Sequence, residues 1–422
     1  MTEAKEPIGV GIIGSGGRGV YCVGTRMAEL VREEQLVVKA LCDRNPERMQ
    51  EGKAHLEKQF AERGVKTEIE CIPDYRDLIA DPRVGLVMVS TTCDAHRDPA
   101  LAALASGKKV YLDKPIAADL DDSIAIIEGQ YKHNNTLMMG FSRRYEPAWR
   151  KAHQLLDDGV IGDLCMLQIR AVIPYWRYFQ GWWRRRKWSG GALNDKSSHH
   201  YDVLNWFAQS ECEKISAFGG RTGIFKPDPD GPKRCLECDR ECPYRHKMSQ
   251  KDIAQDYIAL RGKSWLDETE EKHRHDNCVY LPGSDIHDHV ISTLAYENGV
   301  KASLFWAIFG PGSKNGETLE LVGSKGRMIL TRKSAEIDLA TDYGKRQEII
   351  DCKGPEHKTS HYGADRQMVR DIRRFVDGHD PVVSALDGYK STRMIMATHK
   401  SVDSGGDTVS MKDMPSAAVG VG

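Results

Sequence analysis

No run of about 18 apolar residues occurs in this 422-residue chain, so the sequence offers no membrane-spanning helix. Net charge is also missing. Sixty Lys and Arg against 61 Asp and Glu leave a formal charge of −1, which gives no global field to draw in nucleic acid or an anionic membrane. No internal repeat and no low-complexity tract occurs, which argues against solenoid and disordered classes. No apolar leader precedes the first apolar run at Ile8, so the expected compartment is the cytoplasm. The 11 cysteines are an odd number and fit that reducing setting, as free thiols or metal ligands. What is present is ordinary for a globular protein: 40% hydrophobic and 29% charged residues, and length enough for two or three domains.

The run Ile8–Ile13 leads straight into Gly14-Ser15-Gly16-Gly17-Arg18-Gly19. The pattern reads as strand, tight turn and helix start with G-x-G-x-x-G spacing. Gly14 permits the turn, Gly16 lets backbone N–H groups approach a pyrophosphate, and Gly19 lets the helix pack close to the strand. The next apolar run, Leu36–Cys42, ends at Asp43, an acid placed to take the ribose hydroxyls of NAD. Arg44 beside it leaves NADP as the alternative, since arginine there can hold a 2′-phosphate.

Strand-like runs at 8–13, 36–42, 84–90, 109–112 and 136–140 alternate with helical patterns such as 99–106. Such βαβ alternation predicts an α/β Rossmann domain, a doubly wound parallel sheet, over residues 1–145. Residues 146–405 differ. Runs at 164–173, 214–219, 300–309, 317–322 and 327–331 follow one another with few helices between, which predicts an α+β domain with a large, mostly antiparallel sheet. A polar insertion at about 222–276 interrupts it, helices return at 362–376 and 388–404, and 406–422 reads as a tail that frays from about 417.

Pro115 ends the run Val110-Tyr111-Leu112-Asp113-Lys114, which sets Lys114 at the carboxyl end of a strand, where a lysine can bond a substrate hydroxyl and exchange its proton. After Gly190-Gly191 a helical run carries Asp195, His199 and Asp202 at i, i+4 and i+7, on one stripe about 60° wide. A carboxylate one turn from an imidazole can fix its tautomer, making His199 a candidate general base, while Lys196 adds charge about 100° around the helix. Cys235, Cys238, Cys242 and Cys278 have the number and short spacings of a structural zinc site, with free thiols or a disulfide as alternatives. Trp176, Trp182, Trp183 and Trp188 crowd around Arg184-Arg185-Arg186-Lys187, as a sugar-binding loop or as packing at a domain or subunit interface. The cluster Asp285-Ile286-His287-Asp288-His289 could line the pocket, bind metal or form a turn.

Asp113-Lys114-Pro115, the Asp195-Lys196-Ser197-Ser198-His199-His200-Tyr201-Asp202 run and Gly140–Pro147 together resemble the Gfo/Idh/MocA family of NAD(P)-dependent oxidoreductases. Asp113 stands for the family's Glu, and Ser197 for its Gly. The Lys196-x-x-His199 pattern is similar to a branch distinct from ordinary sugar dehydrogenases. The resemblance implies catalytic roles for Lys114 and His199, with Asp195 and Lys196 beside them. Gly14, Gly16, Gly17, Arg18, Gly19, Asp43, Arg44, Thr91, His96, Lys114 and Arg144 form the candidate cofactor set. Trp176, Trp182, Arg184, Asp202 and His287 form the candidate substrate set. The function so implied is oxidation of a ring hydroxyl of a sugar or glycoside with NAD, or reduction of the ketone. The alternatives are a redox-neutral glycoside hydrolase or lyase that oxidises the sugar transiently, and a non-catalytic NAD-binding sensor. A small-molecule substrate, no nucleic acid, no membrane and a homo-oligomer, dimer or tetramer, complete the expectation.

Overall fold

The computed structural model describes residues 7–235, 238–245, 270–273 and 276–418. The chain divides into two compact units, residues 1–150 with 354–392 and 415–422, and residues 151–353 with 393–414.

The first unit is built on a six-stranded sheet: β1 Ile8–Ile13, β2 Leu36–Cys42, β3 Glu70–Cys71, β4 Leu86–Val89, β5 Lys109–Leu112 and β6 Leu137–Met139, in the order β3-β2-β1-β4-β5-β6. All its ladders are parallel. Both faces are covered, which is why β1 and β4 read as unbroken apolar runs instead of alternating ones. The strand order reverses between β1 and β4, the point at which such sheets open a crevice at their carboxyl ends. Helix starts follow the local chemistry. The Asn45 side chain accepts from the Glu47 and Arg48 amides ahead of Pro46–Ala61, and Asp119 accepts from Asp122 ahead of Leu120–Lys132. The two-residue β3 and the Tyr75–Ala80 helix are absent from the sequence reading, being too short to show a period. The Ala364–Val376 helix belongs to this unit although it lies far along the chain.

The second unit carries a nine-stranded sheet: β7 Leu164–Val172, β8 Cys212–Gly220, β9 His289–Tyr296, β10 Lys301–Ala307, β11 Glu317–Gly323, β12 Gly326–Thr331, β13 Glu336–Thr341, β14 Arg346–Asp351 and β15 Val409–Ser410. Its order is β14-β13-β12-β11-β7-β10-β9-β8-β15. Beyond the parallel β7–β10 ladder, its described ladders are antiparallel. Side chains alternate. Leu167, Ile169 and Ala171 of β7 are buried, while Met166, Gln168 and Arg170 face outward. The buried face packs with the Gly191–Ala208 helix, whose Leu193, Val203, Leu204 and Phe207 are sealed from solvent. Truncating one such leucine to alanine costs about 2–5 kcal/mol. Among the described residues no helix is long and apolar enough to cross a membrane.

Candidate active site

In the first unit the chain leaves β1 through Gly14 at φ +99°, where a Cβ would fall 2.5 Å from the Ser90 carbonyl oxygen. Only glycine fits that turn. A Cβ at Gly19 would meet the Gly14 carbonyl oxygen at 2.7 Å, so the following helix lies tight on the strand. At Gly16 and Gly17 the opposite holds: an added Cβ would meet nothing within 4 Å. The turn thus has two packed glycines and two that border open space. The helix after it begins as a wide π turn, Gly17–Gly24, before α geometry at Thr25–Glu29. Asp43, just past β2, accepts from Ser15 N at 2.8 Å and from Asn45 N at 2.9 Å, which fixes its carboxylate beside the loop. Arg44 next to it is exposed.

Arg18 is turned inward. Its guanidinium pairs with Asp113 at 3.3 Å and Asp365 at 2.5 Å, while His361 bonds the second oxygen of Asp365 at 2.8 Å. Burial alone would push the Asp365 carboxyl up, but Arg18 and His361 outweigh it and hold it at about 2. Asp113 also accepts from Ser90 Oγ at 2.5 Å and Tyr111 Oη at 2.8 Å. The acid before Lys114 is therefore a clamp on the ends of β4 and β5, and Lys114, half-buried, follows it at that edge through a cis bond to Pro115. His96 is buried between Thr91 O at 3.1 Å and Pro115 O at 3.0 Å, and burial pushes its pKa down. It braces the two loops. Thr91 donates to the Ala95 carbonyl at 3.1 Å, and Arg144 pairs with Asp387 at 2.8 Å. Arg18, His96 and Arg144 are thus engaged within the protein.

In the second unit Gly190 and Gly191 have φ of +66° and +82°, and the Gly191–Ala208 helix starts from them. Two left-handed residues in succession call for glycine. Asp195, Lys196 and His199 lie in its first half; Asp195 and His199 are buried and Lys196 is half-buried. Tyr178 Oη donates to Asp195 Oδ2 at 2.6 Å, and burial together with the Asp195 charge pushes the Tyr178 phenol well up. The Lys196 ammonium lies 4.6 Å from the Tyr175 ring centroid. Asp202 is wholly buried, on the inner side of the helix.

Two models of one oxidoreductase family match the chain, its NAD-binding Rossmann fold over residues 8–141 and its C-terminal alpha/beta domain over residues 153–411. The chain belongs to the Gfo/Idh/MocA family. The uncharacterized oxidoreductase YrbE of Bacillus subtilis is 28% identical over 51% of this chain and 58% of its own length. Inositol 2-dehydrogenase of Salmonella typhimurium is 28% identical over 52% of this chain and 58% of its own length. The chain spans between 58% and 64% of the length of the first curated relatives it matches. Levoglucosan dehydrogenase, solved with NADH and levoglucosan, shares the fold at a TM-score of 0.72 and 19% identity, covering 96% of this chain and 100% of that one. The family's architecture, a Rossmann domain followed by a mostly antiparallel sheet domain, is the one expected from the sequence.

Several expected contacts of this Gfo/Idh/MocA chain fall elsewhere. Arg184 does not face a substrate. It is 1% exposed, pairs with Glu271, and donates to the carbonyls of Phe179, Leu281 and Pro282, which takes up its fork. His287 is buried between Arg186, Asp403 at 3.1 Å and His399 at 3.1 Å. Of its neighbours, Asp285 accepts from the Arg186 amide at 2.8 Å, and Asp288 holds the Thr222 amide at 3.0 Å, so the cluster serves as turns and anchors. The zinc expectation for Cys235, Cys238, Cys242 and Cys278 is not supported. None of the four forms a disulfide, and among the described residues no group of three or more His, Cys, Asp or Glu could hold a metal. The described ends of the insertion are held by other contacts: Phe225 lies tilted against Phe179 at 4.4 Å and meets Tyr244 at 5.0 Å, Gln180 donates to the Asn277 carbonyl at 2.9 Å, and Arg184 grips Glu271. Residues 236–237, 246–269 and 274–275 of the expected insertion, and 419–422 of the tail, lie outside the described residues. Trp176 and Trp182 are half-buried, the first against Tyr244 at 5.8 Å, the second against Trp183 at 5.1 Å. Tyr175, Arg177 and Tyr178 were missed by sequence reasoning. Their signal in the sequence is the aromatic density of 175–183.

Proposed function

We propose that the chain is an NAD-dependent oxidoreductase that acts on a ring hydroxyl of a cyclic polyol, sugar or glycoside. The observation that carries this reading is the turn after β1, where Gly16 and Gly17 border open space beside the fixed carboxylate of Asp43. NAD, when bound, supplies the hydride acceptor. Gly14, Gly16, Gly17 and Gly19 would admit its pyrophosphate to backbone N–H groups, and Asp43 would hold its ribose hydroxyls. The charge of Asp43 disfavours an added 2′-phosphate, so NAD is preferred over NADP even with Arg44 alongside. Lys114 is assigned the hydrogen bond to the substrate hydroxyl. His199 is assigned the proton, with Asp195, fixed by Tyr178, and the Lys196 charge on the same helix. The inositol and levoglucosan dehydrogenases among the similar proteins support the substrate class.

The test is to incubate the protein with NAD and a panel of inositols, free sugars and p-nitrophenyl glycosides. NADH growth with intact glycosidic bonds supports the proposal. Nitrophenol release without net NADH would replace it with a redox-neutral glycoside hydrolase, and NAD held with neither signal would replace it with a binding protein.

We also infer a homo-oligomer. Phe218, Ile291 and Phe305 form one cross-strand row on the outward sheet face and are 65%, 50% and 40% exposed. Phe218→Asp should lower the mass seen by light scattering; a wild-type monomer would end the inference.

A further inference from the structure

We propose that Arg177 is the receptor for a carboxylate on the substrate, so that the sugar is a uronic acid or a glycoside of one. This rests on the carbohydrate reading above and names the class of sugar. The segment after β7 is rich in arginine, but most of that charge is spent. Arg184 and Arg185 pair with Glu271, and Arg186 with Asp403. Arg177 is exposed and, among the described residues, makes no ion pair. Its guanidinium carbon lies 5.3 Å from the Tyr175 ring centroid and 5.3 Å from that of Trp183. Aromatic faces hold the flat cation by attraction to its plane and leave edge N–H donors for a ligand. Those donors form a fork that matches the two oxygens of a carboxylate.

Two further observations place this receptor within the candidate site of the second unit. Tyr175 carries a second cation, since Lys196 Nζ lies 4.6 Å from the same ring. Tyr178 ties the group to the acid–base helix: its ring is 6.1 Å from Tyr175 and 5.8 Å from Trp183, and its hydroxyl holds Asp195 Oδ2. The Arg177 cation thus lies on an aromatic shelf beside the acid–base helix, with Trp182 beside Trp183 offering a flat apolar surface for a sugar ring. A sugar with a single negative charge complements this arrangement better than a neutral one.

The experiment measures equilibrium binding calorimetrically for methyl glucuronide, methyl galacturonide, the matching neutral methyl glycosides and glucose 6-phosphate, with NADH growth read on the same samples. In the wild type at least one uronide should bind about tenfold or more tighter than its neutral counterpart. In Arg177→Gln that ratio should fall to about one, and Arg177→Lys, which keeps the charge without the fork, should lie between. Equal affinity for uronide and neutral sugar, no uronide binding, stronger binding of the sugar phosphate, or an unchanged ratio in Arg177→Gln would each overturn the proposal. Hydride transfer without discrimination sinks this inference alone, and discrimination without hydride transfer sinks the oxidoreductase reading alone.

Discussion

Acidifying the protein from pH 8 to pH 5 should remove about 4 kcal/mol of stability from the second unit through two histidines. His399 Nε2 lies 3.1 Å from the Gly190 carbonyl, which can only accept, so that nitrogen carries the proton. His399 Nδ1 then accepts from His287 Nδ1–H at 3.1 Å, and His287 Nε2 accepts from Arg186, whose guanidinium also grips Asp403 at 2.8 Å. The His399–His287 and His287–Arg186 contacts need both rings neutral. A second proton on His399 sets N–H against N–H; one on His287 Nε2 faces the Arg186 guanidinium, and Asp403 Oδ1 at 3.1 Å offsets that repulsion only in part. Burial first, and then Arg186, pushes His287 down to about 4; the same two causes, with His287 added, push His399 to about 3. Both folded values lie below the unfolded value of about 6.5, so stability is intact above that pH and falls as pH drops toward 4 and 3. At pH 5 each histidine costs about 2 kcal/mol, because the unfolded chain takes up a proton that the folded one refuses. Urea unfolding followed by tryptophan fluorescence reports mainly on this unit, since of the eight tryptophans Trp149 alone belongs to the first. His399→Gln, whose amide can still donate to Gly190, should lose about 2 kcal/mol less than wild type between pH 8 and pH 5. Parallel losses in the two proteins would refute the reasoning.

Lys114→Ala and His199→Ala should each lower kcat/KM by at least about 100-fold while NAD affinity, read by calorimetry, stays within about twofold. Gly16→Ala should leave the unfolding midpoint unchanged but weaken NAD binding about tenfold or more, whereas Gly19→Ala, driven into the Gly14 carbonyl, should lower the midpoint itself. Tyr178→Phe removes the donor to buried Asp195 and should cost about 1–3 kcal/mol in urea unfolding, with the acid limb of the pH–rate profile displaced. An unshifted limb would confine Tyr178 to a structural role.

Local pattern made the first sheet legible because strands buried on both faces announce themselves as largely apolar runs, as at 8–13, which ends at Gly14, and 36–42, which ends at Asp43. The glycine loop was legible for the same reason: each glycine answers a steric demand that sequence alone can pose. β14, Arg346–Asp351, was not read, since an edge strand is exposed and carries little apolar signal. Charged side chains were the least legible. Arg177 and Arg184 look alike in sequence, yet one meets solvent and the other is consumed by Glu271 and three carbonyls. Cysteine spacing states what a thiol cluster could bind, not which side chains secure the loop. Those were Phe225, Tyr244 and Gln180, residues with no motif.

The pairing of Arg18 with Asp365 spans 347 positions. During synthesis at about 5–20 residues per second, the amino-terminal glycine turn leaves the ribosome roughly 20–70 s before its distant acid exists. Until then that arginine lacks its stronger partner and the first sheet lacks the Ala364–Val376 helix. A nascent or prematurely terminated product therefore carries every signature residue of a nucleotide pocket without the part that completes it. Emergence of the Ala364–Val376 helix, not of the glycine motif, times when the pocket matures.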